Sequence, residues 1–112
     1  MGDLPLDLSV LESMFGDDAD LRNAILEEFA NSATPYMTEL DAAIARKSAE
    51  GVKSLAHKLK SSSRTVGAQA LGDLCEALEN SAPNADWHGI NTQELALKSE
   101  LERVLDYIRS LC

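Results

Sequence analysis

One histidine in this chain stands where chemistry could be done. Over residues 49–66, turning each residue by about 100° around a helix gathers Val52, Leu55, Ala56, Leu59, Ser63 and Val66 into one apolar sector. His57 falls about 150° from the centre of that sector, on the outermost line of the helix. The same line holds Lys53 at i−4, Lys60 at i+3, Ser61 at i+4 and Arg64 at i+7, and such positions are neighbours on a helix surface. An imidazole thus faces water amid three cations and one small side chain. Neutral imidazole is a nucleophile that phosphorus accepts, and the cations would meet the charge that comes with a phosphoryl group. Phosphoryl transfer rests mainly on positioning and charge stabilisation, so a site this sparse is sufficient.

The charge distribution supports an incoming anion. The chain of 112 residues carries a formal net charge of −9, with 10 Lys and Arg against 19 Asp and Glu. Yet Arg46, Lys47, Lys53, Lys58, Lys60 and Arg64 lie within one short stretch, and no acid occurs from Gly51 through Gly72. Like charges one turn apart cost an isolated helix a few tenths of a kcal/mol each, so an inert surface would intersperse Glu here. The overall negative charge argues against nucleic acid, which demands released counterions, and against direct contact with an anionic membrane surface. Ser61 keeps the ridge low beside the ring, leaving room for another protein to approach.

Other reactive residue types carry less. His88 beside Trp87 reads as a solvated loop residue, with Trp87 covering one end of the molecule. Cys75 sits at core spacing and Cys112 at the terminus, and neither belongs to a CxxC. No spacing of His and Cys fits a metal site, and no P-loop, GxGxxG or Ser-His-Asp order is present. No cofactor is expected. The two cysteines form no disulfide framework, which fits a reducing cytosol. No apolar run approaches the ~20 residues a membrane helix needs, and Leu6 stands where a myristoylation signal beginning Met1-Gly2 wants Ser or Thr.

The elements that must position the histidine are helices. Hydrophobic residues make up 45% and aromatics 4%, so Leu, Ile, Val, Met and Ala form the core, and Pro is scarce. Pro5 and Asp7 precede Leu8, Leu11 and Met14, which predicts a short first helix closed near Gly16. Asp17 or Asp18 caps a second helix, whose apolar positions Leu21, Ile25, Phe29, Ala33, Met37, Leu40 and Ile44 step by three and four across Pro35. One helix over about 18–47, kinked at Pro35, is the reading; a break into two is the alternative. Ser48 caps the third, which runs to Val66 and stops at Gly67. Leu71, Leu74, Cys75 and Leu78 mark a fourth. Ser81–Gly89 reads as one long loop, and Asn91 with Glu94 as a capping-box start for a last helix carrying Leu95, Leu97, Leu101, Val104, Leu105 and Ile108. The fold expected is all-α: an antiparallel up-and-down four-helix bundle with a short extra N-terminal helix, one domain over residues 1–112.

The stretch Ala56-His57-Lys58-Leu59-Lys60-Ser61-Ser62-Ser63-Arg64-Thr65-Val66-Gly67-Ala68 resembles the signature of histidine phosphotransfer (HPt) domains. The order of helices and the Phe29…Pro35…Leu40 approach are similar to that family over nearly the whole chain. The resemblance implies that His57 is the phosphoacceptor, through Nε2, and that Lys60 helps hold the phosphoryl group. Lys53, Ser61 and Arg64 would belong to the surface that docks receivers. Where the family usually has glycine this chain has Ser61, which adds a hydroxymethyl beside the ring. The polar partner that the family often carries one helix over would be Glu79 or a neighbour. The implied partners are response regulator receiver domains of a two-component phosphorelay, each bringing its own Mg²⁺. The implied activity is a phosphocarrier without kinase activity, monomeric and cytoplasmic, either free-standing or, as the favoured context, the C-terminal cytoplasmic domain of a hybrid sensor kinase, membrane-bound or not. The residues also admit a second reading: a non-catalytic helical module (a degenerate HPt domain) that binds an acidic partner through the basic ridge. The phosphoacceptor hairpin of a sensor kinase fits less well, because Lys58 follows His57 where that hairpin usually has an acid.

Overall fold

In the computed structural model, which describes residues 4–111, five α-helices build an antiparallel up-and-down four-helix bundle with a short helix before it. They are α1 (Leu8–Phe15), α2 (Ala19–Ala45), α3 (Ala49–Thr65), α4 (Gln69–Ser81) and α5 (Trp87–Leu111). Among the described residues there is no strand, and no helix is long and apolar enough to cross a membrane. Met1, Gly2 and Cys112 lie outside the described residues.

The helix starts follow from short polar side chains. Asp7 caps α1, accepting from Ser9 N at 3.0 Å. Of the two candidates for α2, Asp18 does the work: its Oδ1 accepts from the backbone N–H groups of Asp20 and Leu21 at 3.0 and 3.1 Å, satisfying donors the helix cannot. Ser48 caps α3 through Gly51 N at 3.1 Å. Pro35 lies inside α2, which continues through it as one helix. The ring sits on the exposed side, and the missing N–H leaves one carbonyl a turn earlier without its usual donor. The turn after α3 uses Gly67 at φ +83°, a conformation that suits glycine, and its carbonyl accepts from Asp7 N at 2.8 Å. That bond fastens the segment before α1 to the α3–α4 corner.

The core runs the length of the bundle. Leu26, Phe29, Ala33, Met37, Leu40 and Ile44 come from α2, with Val52, Ala56 and Leu59 from α3. Leu71, Cys75 and Leu78 of α4 and Ile90, Leu97, Leu101, Val104 and Ile108 of α5 complete it. Three sequence expectations shift. Leu21 is exposed and Leu26 takes the buried place on α2, because the core-facing stripe enters one position further round the helix. Leu6, ahead of α1, is buried while Met14 is exposed.

The third shift concerns the last helix. The expected long loop is short: a 3-10 turn spans Ala82–Asn84, and α5 begins at Trp87, four residues ahead of Asn91. Asp86 explains the early start, since its carboxylate accepts from Gly89 N at 3.3 Å and its carbonyl from Ile90 N at 2.9 Å. Asn91 is therefore a surface residue within the helix, and Glu94 is buried rather than part of a cap. The core stripe of α5 then falls at Ile90, Leu97, Leu101, Val104 and Ile108, so Leu95 points into solvent.

Candidate functional site

The site grows from the α3–α4 pair, the most extensive helix–helix contact in the molecule. Small side chains allow it: Ala56 and Ser63 of α3 and Gly72 and Cys75 of α4 are all buried. Serine inside a helix needs a partner for its hydroxyl, and Ser63 finds one in the Leu59 carbonyl at 2.6 Å. Cys75 lies beneath, its thiol pushed up to about 12 by burial, so it stays protonated and unreactive.

On the outer side of α3, His57 is open, with 59% of its side chain exposed. Close packing of the two helices brings Glu79 of α4 up against it. Glu79 Oε2 lies 2.9 Å from His57 Nδ1, and Oε1 lies 2.7 Å from Lys60 Nζ. The carboxyl is held below its ordinary range, by Lys60 most strongly and then by His57, so it is ionised and can only accept. Nδ1 must therefore carry the proton. In the neutral ring that leaves the lone pair on Nε2, which has no protein hydrogen-bond partner among the described residues. The geometry leaves Nε2 as the ring nitrogen with a free lone pair.

The remaining ridge residues divide. Lys53 and Lys58 are exposed and line an open cleft with Glu50, Ser54, His57 and Glu79. Lys60, at 18% side-chain exposure, is drawn down onto Glu79. Arg64 folds onto α4 instead of standing free. Its Nη2 meets Glu76 at 2.8 Å and Asp73 at 3.2 Å, and those carboxylates, Glu76 first, raise its basicity further. The stem lies across Gly72, where a Cβ would come within 2.8 Å of Arg64 Cγ. The acid-free stretch of sequence is thus met by Asp73, Glu76 and Glu79 from the next helix. The three-cation ridge becomes a mixed-charge surface on which Arg64 clamps α3 to α4.

Ser61 is exposed one turn from His57, and beside it opens a groove of about 310 Å³ between α2 and α3. Ile25, Phe29, Ala33 and Tyr36 line one wall, and Leu59, Ser61 and Val66 the other. Ile25, on the apolar stripe read from the spacing, is half-buried against the core and forms part of this wall. Sequence reasoning also gave Glu79 little weight, because only the approach of α4 shows that it reaches both His57 and Lys60. His88 is exposed and distant from the site in the sequence, at the start of α5. Among the described residues no group of three His, Cys, Asp or Glu side chains could hold a metal ion.

Comparison with known proteins bears on the family and the fold. The model of the Hpt domain family matches residues 24–107. The crystal structure of histidine-containing phosphotransfer protein B (HptB) from Pseudomonas aeruginosa PAO1 superposes with a TM-score of 0.88 over 97% of this chain and 95% of that one, at 24% identity. No curated protein matches the sequence. The chain belongs to the Hpt domain family.

Proposed function

We propose that this Hpt domain accepts a phosphoryl group on Nε2 of His57 from the phospho-aspartate of one receiver domain and passes it to the aspartate of another. The observation that carries the reading is the His57–Glu79 contact. It holds the proton on Nδ1 and leaves Nε2 as a bare nucleophile on an open surface. Nε2 attacks phosphorus in line with the acyl-phosphate oxygen; the N–P bond forms, the P–O bond breaks, and its electron pair returns to the donor carboxylate. The Nδ1 proton stays where it is, beside Glu79. The ring, cationic once phosphorylated, remains paired with that carboxylate, and the reverse step onto a second aspartate needs no proton to arrive or leave.

Lys60 lies within reach to share its charge between Glu79 and the incoming phosphoryl oxygens. The receiver would seat an apolar helix in the α2–α3 groove beside Ser61, with Lys53 at the far end of the same face, and would bring the Mg²⁺ that screens its own phosphate. The chain acts as a carrier rather than a kinase, as a monomer in the cytoplasm, with its reactive face open to successive partners.

The test is incubation with a receiver domain phosphorylated with labelled phosphate. Wild type takes up an acid-labile, alkali-stable label, and His57→Gln takes up none. Label on His57→Gln would end the assignment. Binding to receivers with no label on wild type would favour a non-catalytic interaction module.

A further inference from the structure

Glu94, two turns into α5, is a carboxylate in an apolar setting. Its side chain is only 10% exposed, and Oε2 has no hydrogen-bond partner. A charged oxygen left so is costly, and the nearest cation does little for it. Lys98 Nζ lies 3.9 Å from Glu94 Oε2 but 2.9 Å from Asp41 Oδ1 on α2. Among the described residues the charged groups that bear on Glu94 are Asp41 from α2 and Lys98 from its own helix. Two carboxyls and one ammonium make a cluster with one negative charge too many, half of it out of water. A single proton on Glu94 removes the excess and supplies a donor that Asp41 can accept.

We propose that Asp41, Glu94 and Lys98 form a proton-operated clasp between α2 and α5, in which one proton shared by the two carboxyls joins the helices and its loss loosens them.

Burial, and then the Asp41 carboxylate, raise Glu94 to about 7, while Glu94 and Lys98 lower Asp41. The direction of the stability effect follows. Below about 4.5 both folded and unfolded Glu94 hold the proton, and the clasp contributes in full. Between there and about 7 only the folded protein holds it, so each step up in pH favours unfolding. The contribution is gone once the folded-state carboxyl has titrated. Asp41 works in the opposite sense, and its share is lost only on strong acidification. The clasp is therefore closed in mildly acidic solution and open above neutrality.

The experiment compares chemical denaturation of wild type and Glu94→Gln from pH 5 to pH 9. The amide keeps a donor for Asp41 at every pH. Wild type should lose roughly ten- to a hundredfold in its folded-to-unfolded ratio relative to the variant across that range, the loss falling between pH 5 and about 7 and levelling off above. The histidines are common to both proteins, so the difference between the curves isolates Glu94. Parallel curves would overturn the proposal. A second measurement is independent of any variant's folding: the side-chain carboxyl carbon of Glu94, followed by NMR in wild type, should titrate near pH 7. The Asp41→Asn variant should bring that midpoint down by freeing Lys98 for Glu94. A wild-type midpoint in the ordinary carboxyl range would overturn it as well. Both readouts are independent of phosphoryl transfer, so neither outcome bears on the assignment of His57.

Discussion

Replacing Glu79 with alanine removes two contacts at once: the acceptor for His57 Nδ1 at 2.9 Å and the counter-ion of Lys60 at 2.7 Å. A hydrogen bond to a charged group contributes ~1.5–3 kcal/mol when desolvated. Glu79 is 14% exposed but the ring it holds is 59% exposed, so water competes for Nδ1 and the lower end applies. A loss of ~1.4 kcal/mol from the transition state is about tenfold in rate. Rapid-quench measurement with a phosphorylated receiver should therefore find transfer to His57 slowed roughly tenfold in Glu79→Ala. Glu79→Gln should be slowed less, since its amide oxygen still accepts from Nδ1–H. Nitrogen NMR of the ring should show the proton resident on Nδ1 in wild type and shared between the two nitrogens in Glu79→Ala. The fold should hold, because partly exposed ion pairs contribute up to ~1 kcal/mol. The melting temperature should then drop by less than about 8 °C. Transfer at the wild-type rate by a folded Glu79→Ala protein would refute the argument that the α4 carboxylate selects the nucleophilic nitrogen.

Lys60→Ala should slow transfer while leaving the helical circular dichroism unchanged; an unchanged rate would remove Lys60 from the site. Ser61→Trp should weaken receiver binding at least tenfold without unfolding the bundle, as titration calorimetry would show, because an indole would fill the exposed space between His57 and the α2–α3 groove. Gly67→Ala should destabilise by ~2–4 kcal/mol in urea unfolding: a left-handed alanine costs ~1–2 kcal/mol, and its Cβ would collide with the Asp7 carbonyl oxygen. A loss below ~1 kcal/mol would mean that the α3–α4 corner yields easily.

What the sequence made legible is what helical periodicity controls. The inward face of α3 follows from spacing alone, and with it the outward ring of His57; Asp18, Ser48 and Gly67 mark helix ends by side-chain chemistry that acts over two or three residues. What stayed hidden depends on which helix lies next to which. The cations of α3 read as a bare ridge because the partners of Lys60 and Arg64, namely Glu79, Glu76 and Asp73, lie 9 to 19 residues away in sequence. The start of α5 was obscured by Pro83, Asn84 and Gly89, all turn-forming types, whereas Asp86 caps the helix ahead of the glycine. Glu94 matched a capping box by spacing, and only the position of α2 shows it to be buried against Asp41.

The openness of His57 has a kinetic consequence. One ring on one helix face offers one visitor at a time a place to dock. On the proposed reading, donor and acceptor receivers would queue for the same spot, and throughput would follow ping-pong kinetics instead of a ternary complex. An excess of either partner in its spent form would then be a competitive inhibitor of the other. The relative abundance of the two, as much as the chemistry at Nε2, would set how fast a signal passes.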